Sequence, residues 1–409
     1  MDFAHSARAT ELIERFDAFF AEEIQPAEEP MLRAMLAKPP AERWEVAPEM
    51  ERLKARAREL GLWNLFLPDP EHGAGLSNVE YAPLAERMGR SIIASEVCNC
   101  NAPDTGNMEV LHMFGTPEQK QAYLYPLLDG KIRSAFCMTE PGVASSDATN
   151  MEATAIVEGD EIVINGRKWW STGIGHPDCE VLIFMGLTDP DADRHHRHSM
   201  VLIPRDAPGV KVERMLPAFG FYDEPGGHGE VTFTDVRLPT SAFIGGAGQA
   251  FMIAQARLGP GRVHHCMRLI GLAEMALELA CRRGTSRTAF GKPIVNLGGN
   301  RERIADARIA IDQTRLLVLQ AAWLLDEGRP EALAAVSAIK VAAPRMACEV
   351  IDMAIQLHGG GGMSDDFPLA AAYTVARSLR LADGPDEVHQ GVLARLELAK
   401  YGAGKWAAK

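Results

Sequence analysis

The sequence predicts an α+β chain in three consecutive parts: a helical segment over residues 1–130, a β-rich middle over 131–247 and a helical bundle over 248–409. Three observations carry this. In the first third, apolar residues recur at helical spacing, as in Leu12, Ile13, Phe16, Phe19 and Phe20. Between about 131 and 245 the period shortens to two, and short β-branched runs alternate with turn residues. Beyond 248, long apolar stretches at helical spacing return, joined by short links.

In chain order, Pro26 and Pro30 are expected to end the first helix. The stretch 50–60 forms the next, with Leu53, Ala57 and Leu60 on one stripe and basic residues opposite. An apolar connector at 63–68 leads to a turn at Gly73-Ala74-Gly75. Ser77, with Glu80 three residues on, makes a capping box. Thr116 followed by Pro117 opens a further helix, since proline suits the first helical position. Residues 154–166 form a hairpin about Gly159-Asp160, and 181–185, 199–203 and 230–233 are further strands. The polar loop 189–198 holds His195, His196 and His198, whose spacing fits no usual ligand pattern, so no metal is expected. Helices over 248–285, 300–327, 330–358 and 368–381 form an antiparallel bundle, and 388–400 adds a last helix.

Composition narrows the partners. A formal charge of −13 over 409 residues argues against nucleic acid or an anionic membrane face. Seven cysteines without a C-x-x-C pair suit reduced thiols in a cytosol-like compartment. The first 25 residues carry Asp2, Glu11, Glu14, Asp17, Glu22 and Glu23, unlike a signal or transit peptide. No apolar run is long enough to cross a bilayer. A cytoplasmic setting is expected.

The most informative stretch is 379–389. It places Asp383, Asp386 and Glu387 around a Gly384-Pro385 break between two apolar helical patterns. A carboxylate at such a helix end can have its basicity tuned by burial. A solvated turn is the plainer alternative.

Five motifs then occur in a familiar order. Residues 135–147, with Phe136, Met138, Thr139, Glu140, Pro141, Gly142, Ser146 and Asp147, resemble the first signature of the acyl-CoA dehydrogenase family. Lys168-Trp169-Trp170-Ser171-Thr172-Gly173 resembles its lysine–tryptophan strand. Arg287-Thr288-Ala289-Phe290-Gly291 resembles its Arg-x-x-Phe-Gly turn, and Gln356 with Gly359 to Gly362 its glycine loop. Asp383-Gly384 falls where the family places Glu-Gly. The resemblance covers essentially the whole chain. It implies an α-helical N-terminal domain, a middle β-barrel and a C-terminal four-helix bundle. It also implies FAD, an acyl-CoA substrate, a homotetramer or dimer, and an electron-transferring flavoprotein as acceptor. More narrowly, 258–268 and 381–389 resemble a subgroup fused in some organisms to a kinase-like domain and associated with 4-hydroxyacyl-CoA degradation. Any kinase partner is expected on a separate chain.

Under the resemblance, Asp383 is the base that removes an α-proton while the flavin N5 takes a β-hydride. Most family members carry Glu there. Asp is one methylene shorter and slightly more acidic, burial would raise its pKa, and the shorter arm leaves room for a bulkier or more polar acyl group. The family's other base position matches Gly261, which has no carboxylate. Phe136, Met138 and Thr139 run beside the flavin, Trp170 packs on it, and Ser171 and Thr172 bond its edge. Arg287, with Phe290 in the same turn, reaches the FAD diphosphate of a neighbouring subunit, where a guanidinium bonds bidentately. Gln356, Gly359 and Gly360 let the backbone approach that nucleotide. Pro385, Asp386 and Glu387 flank the FAD, through the amides of the latter two. The Asp383 amide, with a ribityl hydroxyl, polarises the thioester carbonyl.

Ser146, Arg262 and Gly384 are the substrate-binding residues, with Ser146 on the CoA arm. Arg262, His264 and His265 follow a Gly259-Pro260-Gly261 break and have a supporting or substrate-facing role. The polar stretch 101–108, at the family's pocket floor, hints at a functionalised acyl group. Rival readings on the same fold are a flavin oxidase of nitroalkane or acyl-CoA type, a 4-phosphoacyl-CoA eliminating isomerase, and a non-catalytic flavin-bearing paralogue.

Overall fold

The computed structural model describes residues 4–402, apart from the side chains of residues 257, 258 and 260. Residues 1–3 and 403–409, the ends of the first and third expected parts, lie outside the described residues. Helices α1 (Ala7–Phe19), α2 (Gln25–Ala37), α3 (Pro48–Glu59), α4 (Asn78–Met88), α5 (Ala94–Val97), α6 (Asp104–Phe114), α7 (Pro117–Gln119) and α8 (Tyr125–Leu128) come first. Strands β1 (Arg133–Cys137), β2 (Thr154–Glu158), β3 (Glu161–Thr172), β4 (Cys179–Leu187), β5 (His198–Pro204), β6 (Val210–Met215) and β7 (His228–Pro239) follow. Then come α9 (Ala250–Ser286), the short pair β8 (Thr288–Ala289) and β9 (Lys292–Pro293), α10 (Asn300–Asp326), α11 (Ala332–His358), α12 (Leu369–Ser378) and α13 (Asp386–Ala399).

Both expected caps form. Ser77 accepts from the Glu80 amide while the Glu80 carboxylate returns to the Ser77 amide, and Thr116 with Gln119 does the same. The proline expectations are corrected. The chain stays helical through Pro26 and Pro30, because a π-turn at Phe20–Ile24 joins α1 to α2. Pro26 follows directly on that wide turn, where the regular i→i−4 ladder is already interrupted and a missing N–H is tolerated. No residue of α2 is buried, so solvent serves the carbonyl that Pro30 leaves without a donor. Gly259-Pro260-Gly261 is likewise no break, since α9 runs unbroken from Ala250 to Ser286. The strand β6 lay unrecognised in the alternation Val210-Lys211-Val212-Glu213, the pattern of a half-exposed strand.

The chain divides into two compact units. One contains residues 4–25, 76–95 and 262–402, and is wholly helical except for the β8–β9 hairpin. Its core comes from the apolar faces of α1, α4, α9 and α11, including Leu12, Phe16, Tyr81, Leu84, Met267, Ile339 and Ile351. The helices α4 and α9 cross backbone to backbone. A Cβ on Gly89 would stand 2.0 Å from the Arg268 carbonyl oxygen, and one on Gly271 would stand 1.7 Å from that of Glu86. Salt bridges reinforce the crossing: Arg315 reaches Glu86 at 2.9 Å and also Glu274, which Arg308 grips at 2.6 Å. Asp326, ending α10, accepts from the Asn78 and Val79 amides at 2.8 and 2.9 Å and so caps α4.

The other unit contains residues 26–75 and 96–261. Its seven-stranded sheet has the order β1-β4-β2-β3-β7-β6, with β5 also paired to β4. β1 runs parallel to β4, while β3 pairs antiparallel with β2 and β7. The core sits on one face, where Ile162, Ile164, Leu182, Val201, Val231 and the edge-on pair Phe184–Phe233 meet. The expected barrel is therefore an open mixed sheet: among the described residues no pairing joins β6 to β1 or β5. No helix of the described residues is long and apolar enough to cross a membrane.

The α4–α9 crossing leaves no room for a methyl group. Gly271→Ala should therefore destabilise the protein by about 1–3 kcal/mol or more. Gly391→Ala, in α13 where an added Cβ meets nothing within 4 Å, should instead stabilise it by about 1 kcal/mol. Denaturant midpoints of the two variants check both signs.

Candidate functional site

Between α12 and α13 the chain turns through Asp383 at φ 55° and Gly384 at φ 100°. The left-handed region is open to glycine, and aspartate tolerates it better than most residues. Gly384 also has a packing reason, since a Cβ there would stand 2.9 Å from His389 Nε2. His389 lies one turn into α13, and helical side chains lean toward the N-terminus, which brings its ring back over the turn.

Three donors grip the carbonyls of this turn. Lys340 Nζ donates to the Leu379 oxygen at 2.5 Å, Arg262 Nε to the Asp383 oxygen at 3.0 Å, and His389 Nε2 to that same oxygen at 3.2 Å. A carbonyl only accepts, so the His389 proton sits on Nε2. Burial pulls the His389 imidazole down to about 4, and the Arg262 charge adds to that, so the ring is neutral. Burial likewise lowers Lys340, whose ammonium is opposed by the charge of Arg262 and supported by that of Asp383.

The Asp383 side chain is 21 % exposed, largely shielded from solvent, and its Oδ2 lies 3.5 Å from His265 Nε2. Asp386 faces the other way and is buried. Burial pushes its carboxyl up, but Arg380 at 2.7 Å and Arg345 at 3.0 Å outweigh that and hold it below its ordinary value. Its amide donates to the Arg380 carbonyl at 3.2 Å. The expectation that the Asp386 amide faces a nucleotide is therefore corrected: the amide and Oδ2 close the turn, while Oδ1 is buried with no partner among the described residues. Glu387 is exposed on the first turn of α13.

In the sheet unit, β1 delivers Phe136, Met138 and Thr139 to one edge. Lys168 Nζ reaches from β3 to the Met138 carbonyl at 2.9 Å and to Glu140 Oε1 at 2.6 Å, both side chains being buried. Glu140 also accepts from the Glu152 and Ala153 amides at 2.9 and 3.0 Å. The loop 138–153 is thus pinned at both ends. The Trp169 amide adds a bond to the Thr139 carbonyl at 2.9 Å.

A register shift between Lys168 and Ser171 puts Trp170 at φ 52° and turns its indole outward, 39 % exposed, beside His228 at 5.6 Å. Thr172 Oγ1 meets His228 Nδ1 at 2.9 Å. Trp169 Nε1 is buried with no partner among the described residues. The buried Ser171 hydroxyl lies against the Cys137 thiol, a weak partner that leaves it without a proper hydrogen bond.

Ser146 is exposed on the loop, while its neighbours do the local bonding: Ser145 accepts from the Glu140 amide, and Asp147 accepts from Thr149 and Arg194. The adjacent polar stretch is occupied by protein partners. Asp104 takes the Ser134 amide at 2.8 Å and Arg133 at 3.2 Å, and Asn107 donates to Ser134 at 2.8 Å. Arg133 also pairs with Glu96, which Lys54 contacts at 2.9 Å. Burial pushes the Glu96 carboxyl up, yet Arg133 and Lys54 overrule it and hold it at about 2. Asp104 thus serves a buried charge network, whereas Asn107 Oδ1 is buried with no partner among the described residues. His195 stacks on Phe251 at 4.3 Å and His198 meets the Met151 carbonyl at 3.0 Å.

Arg287 leads into the β8–β9 hairpin and is exposed. At its tip Phe290, at φ 50°, is 93 % exposed. Gln356 is exposed on the last turn of α11, which Gly359 ends at φ 64°, and added Cβ atoms on Gly359 and Gly360 would meet nothing within 4 Å. Phe367 ties these two corners together, with the Arg283 guanidinium at 5.6 Å and the His358 ring at 4.5 Å.

Most of the expected residues therefore fall into three groups: Asp383, Gly384, Pro385 and Arg262; Phe136, Met138, Thr139, Trp170, Ser171 and Thr172; and Arg287, Phe290, Gln356, Gly359 and Gly360. Sequence reasoning gave no role to His389, Lys340 or the Lys168–Glu140 pair. A lysine alone in the apolar run 332–344 was the available signal for Lys340.

Family models for the acyl-CoA dehydrogenase N-terminal, middle and C-terminal domains match residues 6–131, 135–236 and 248–398. The chain is 52 % identical to Mycobacterium tuberculosis "Probable acyl-CoA dehydrogenase FadE2", with 98 % of each chain covered. It is 53 % identical to mouse acyl-CoA dehydrogenase family member 10, covering 96 % of this chain but only 37 % of that protein's length. A solved structure from Mycobacterium abscessus, of a protein assigned to the acyl-CoA dehydrogenases, is 71 % identical with a TM-score of 0.96, covering 98 % of this chain and 100 % of that one. At the level of fold alone, the FAD complex of PigA is similar at 24 % identity and a TM-score of 0.82, covering 97 % and 98 %.

Two predictions come from the buried groups. Lys168→Met strands the Glu140 carboxylate, and should lower stability by about 3–5 kcal/mol in denaturant titration. Burial, with Arg268 and His265 nearby, pulls His264 down to about 3 from 6.5. The unfolded chain binds more protons than the folded one in that window, so stability falls as pH drops through 6.5 toward 3. His264→Leu should therefore lose less melting temperature than the parent between about pH 7.5 and about pH 5.

Proposed function

The chain belongs to the acyl-CoA dehydrogenase family, and from that premise we propose that it desaturates an acyl-CoA thioester with Asp383 as the base that removes the α-proton. FAD is the cofactor of the family, and when bound it supplies the acceptor for the β-hydride. The observation that carries this reading is the Asp383 turn. Its carbonyls are gripped by Lys340, Arg262 and His389, which fixes the backbone that carries the carboxylate.

The residues present fit the cofactor. The unpartnered Trp169 Nε1 and poorly partnered Ser171 hydroxyl are buried donors of the kind a ligand's acceptors satisfy. Trp170 offers an exposed planar face, and Phe136, Met138, Thr139 and Thr172 complete that ring site. Arg287, Phe290, Gln356 and the open corner at Gly359 and Gly360 suit a dinucleotide diphosphate. In a homo-oligomer, tetramer or dimer, that nucleotide belongs to a neighbouring copy, which also gives the exposed Phe290 a partner. Pro385 and Glu387 flank it.

Ser146 holds the CoA arm, and Arg262 and Gly384 border the acyl group. Asp383 Oδ accepts the α-proton while its backbone N–H donates to the thioester carbonyl, which acidifies that proton. An electron-transferring flavoprotein is the proposed acceptor. The shorter Asp, in place of Glu, leaves room for an acyl chain substituted near its 4-position.

Asp383→Asn decides the reading. The variant should bind FAD with an unchanged yellow spectrum but bleach with acyl-CoA at least about 10²–10⁴-fold more slowly under anaerobic conditions. Bleaching at the parent rate removes Asp383 from the mechanism. Stoichiometric peroxide in air assigns the chain to the oxidases instead.

A further inference from the structure

Besides the groups that grip its backbone, Asp383 has an imidazole beside its carboxylate. His265, on α9, places Nε2 3.5 Å from Asp383 Oδ2, and both side chains are about four-fifths buried. The other ring nitrogen, Nδ1, lies 3.1 Å from Arg268 Nη2. A guanidinium has donors only, so Nδ1 must accept and the ring proton belongs on Nε2, facing the carboxylate.

His265 and Arg268 stand three residues apart on one helix face. That stretch of α9 is held rigidly, because α4 packs directly on the Arg268 backbone at Gly89. The adjacent His264 does not compete: it is buried edge-on against Tyr81 at 4.9 Å, and burial keeps it neutral. Among the described residues, the charged and titratable groups around the pair include Arg262, His264, Cys266 and Arg268 from α9, Lys340 from α11 and His389 from α13. His389 is neutral, and burial pushes the Cys266 thiol up to about 12, so neither supplies a charge near neutral pH.

We infer that His265, fixed in its Nε2–H tautomer by Arg268, is a positioning residue that aims the Asp383 carboxylate and keeps it ionised for proton abstraction. The inference rests on Asp383 being the base. In this tautomer Nε2 already carries its hydrogen, so the α-proton taken by Asp383 stays on the carboxyl oxygen and is not handed to the ring. His265 acts as a donor whose loss disfavours the anion and loosens its aim.

The test uses the FAD-loaded enzyme and four variants: H265L, H265Q, R268M and D383N. H265L should lose about 10- to 100-fold in kcat with KM within about twofold, since orientation and not substrate binding is lost. The acid limb of its kcat/KM profile should move to higher pH, because the carboxylate has lost a stabilising donor. H265Q, which keeps an N–H donor but cannot titrate, should recover most of the rate and return the limb toward the parent's. R268M should reproduce the shifted limb of H265L by releasing the tautomer, and H265L/R268M should be no worse than H265L alone.

Parent kcat and an unmoved limb in H265L overturn the inference. So does H265Q impaired as severely as H265L. Should H265L fail to retain FAD, R268M decides, and an unshifted limb there overturns the inference. D383N separates the two levels: normal bleaching in D383N removes the base itself, whereas an inactive D383N beside a parent-like H265L removes only the role of His265.

Discussion

A single aspartate held at a positive backbone angle is the constraint on which the rest depends. A non-glycine residue in that region costs on the order of 1 kcal/mol or more, and persists only when its surroundings impose it. Here the imposition is direct: side chains from α9 and α13 donate to the Asp383 carbonyl, and one from α11 donates to the Leu379 carbonyl where α12 ends. Hydrogen bonds from charged donors contribute about 1.5–3 kcal/mol each, so the clamp outweighs the strain it maintains. Asp386 closes the turn from the other side through Arg345 and Arg380. The two acids, three residues apart, have diverged in role because one meets guanidinium groups and the other an imidazole and partial solvent.

A second buried device organises the sheet unit. Taking Lys168 and Glu140 out of water carries a large desolvation penalty, which their mutual attraction offsets only with good geometry and full hydrogen bonding. Glu140 has Lys168 and two backbone amides, and Lys168 has Glu140 and the Met138 carbonyl with the Phe184 ring 4.9 Å away. The pair is thus well satisfied. Its effect is to fix where the chain leaves β1 and where it re-enters at Met151–Ala153. That sets the path of the segment proposed to run beside the flavin. The network of Lys54, Glu96, Arg133 and Asp104 does similar work behind it, tying α3 and α6 to the start of β1.

Local chemistry was legible wherever one turn of chain contains all the partners. The capping boxes at Ser77 and Thr116 are of this kind, as is the hairpin about Gly159, whose φ of 64° suits a residue without a Cβ. Prolines were misleading for the same reason: whether Pro26 ends a helix depends on a π-turn upstream that no residue type announces. The polar stretch 101–108 suggested a ligand because its partners, Arg133 and Ser134, lie some thirty residues away on a strand. The Asp386 amide pointed toward a cofactor until the Arg380 carbonyl accounted for it.

By itself the sequence determined the succession of helical, β-rich and helical parts, the helix caps, and which residue types stand at the five motif positions, Asp383 among them. These follow from periodicity and from side chains acting on their own backbone within a few residues. Tertiary structure decided that the middle sheet stays open, that Arg262 reaches an oxygen 121 residues further on, and that Lys340 serves one 39 residues away. It also decided which proton His265 presents. Such contacts are set by where packed helices cross, here by two glycines that let α4 and α9 touch, and no local preference encodes that distance.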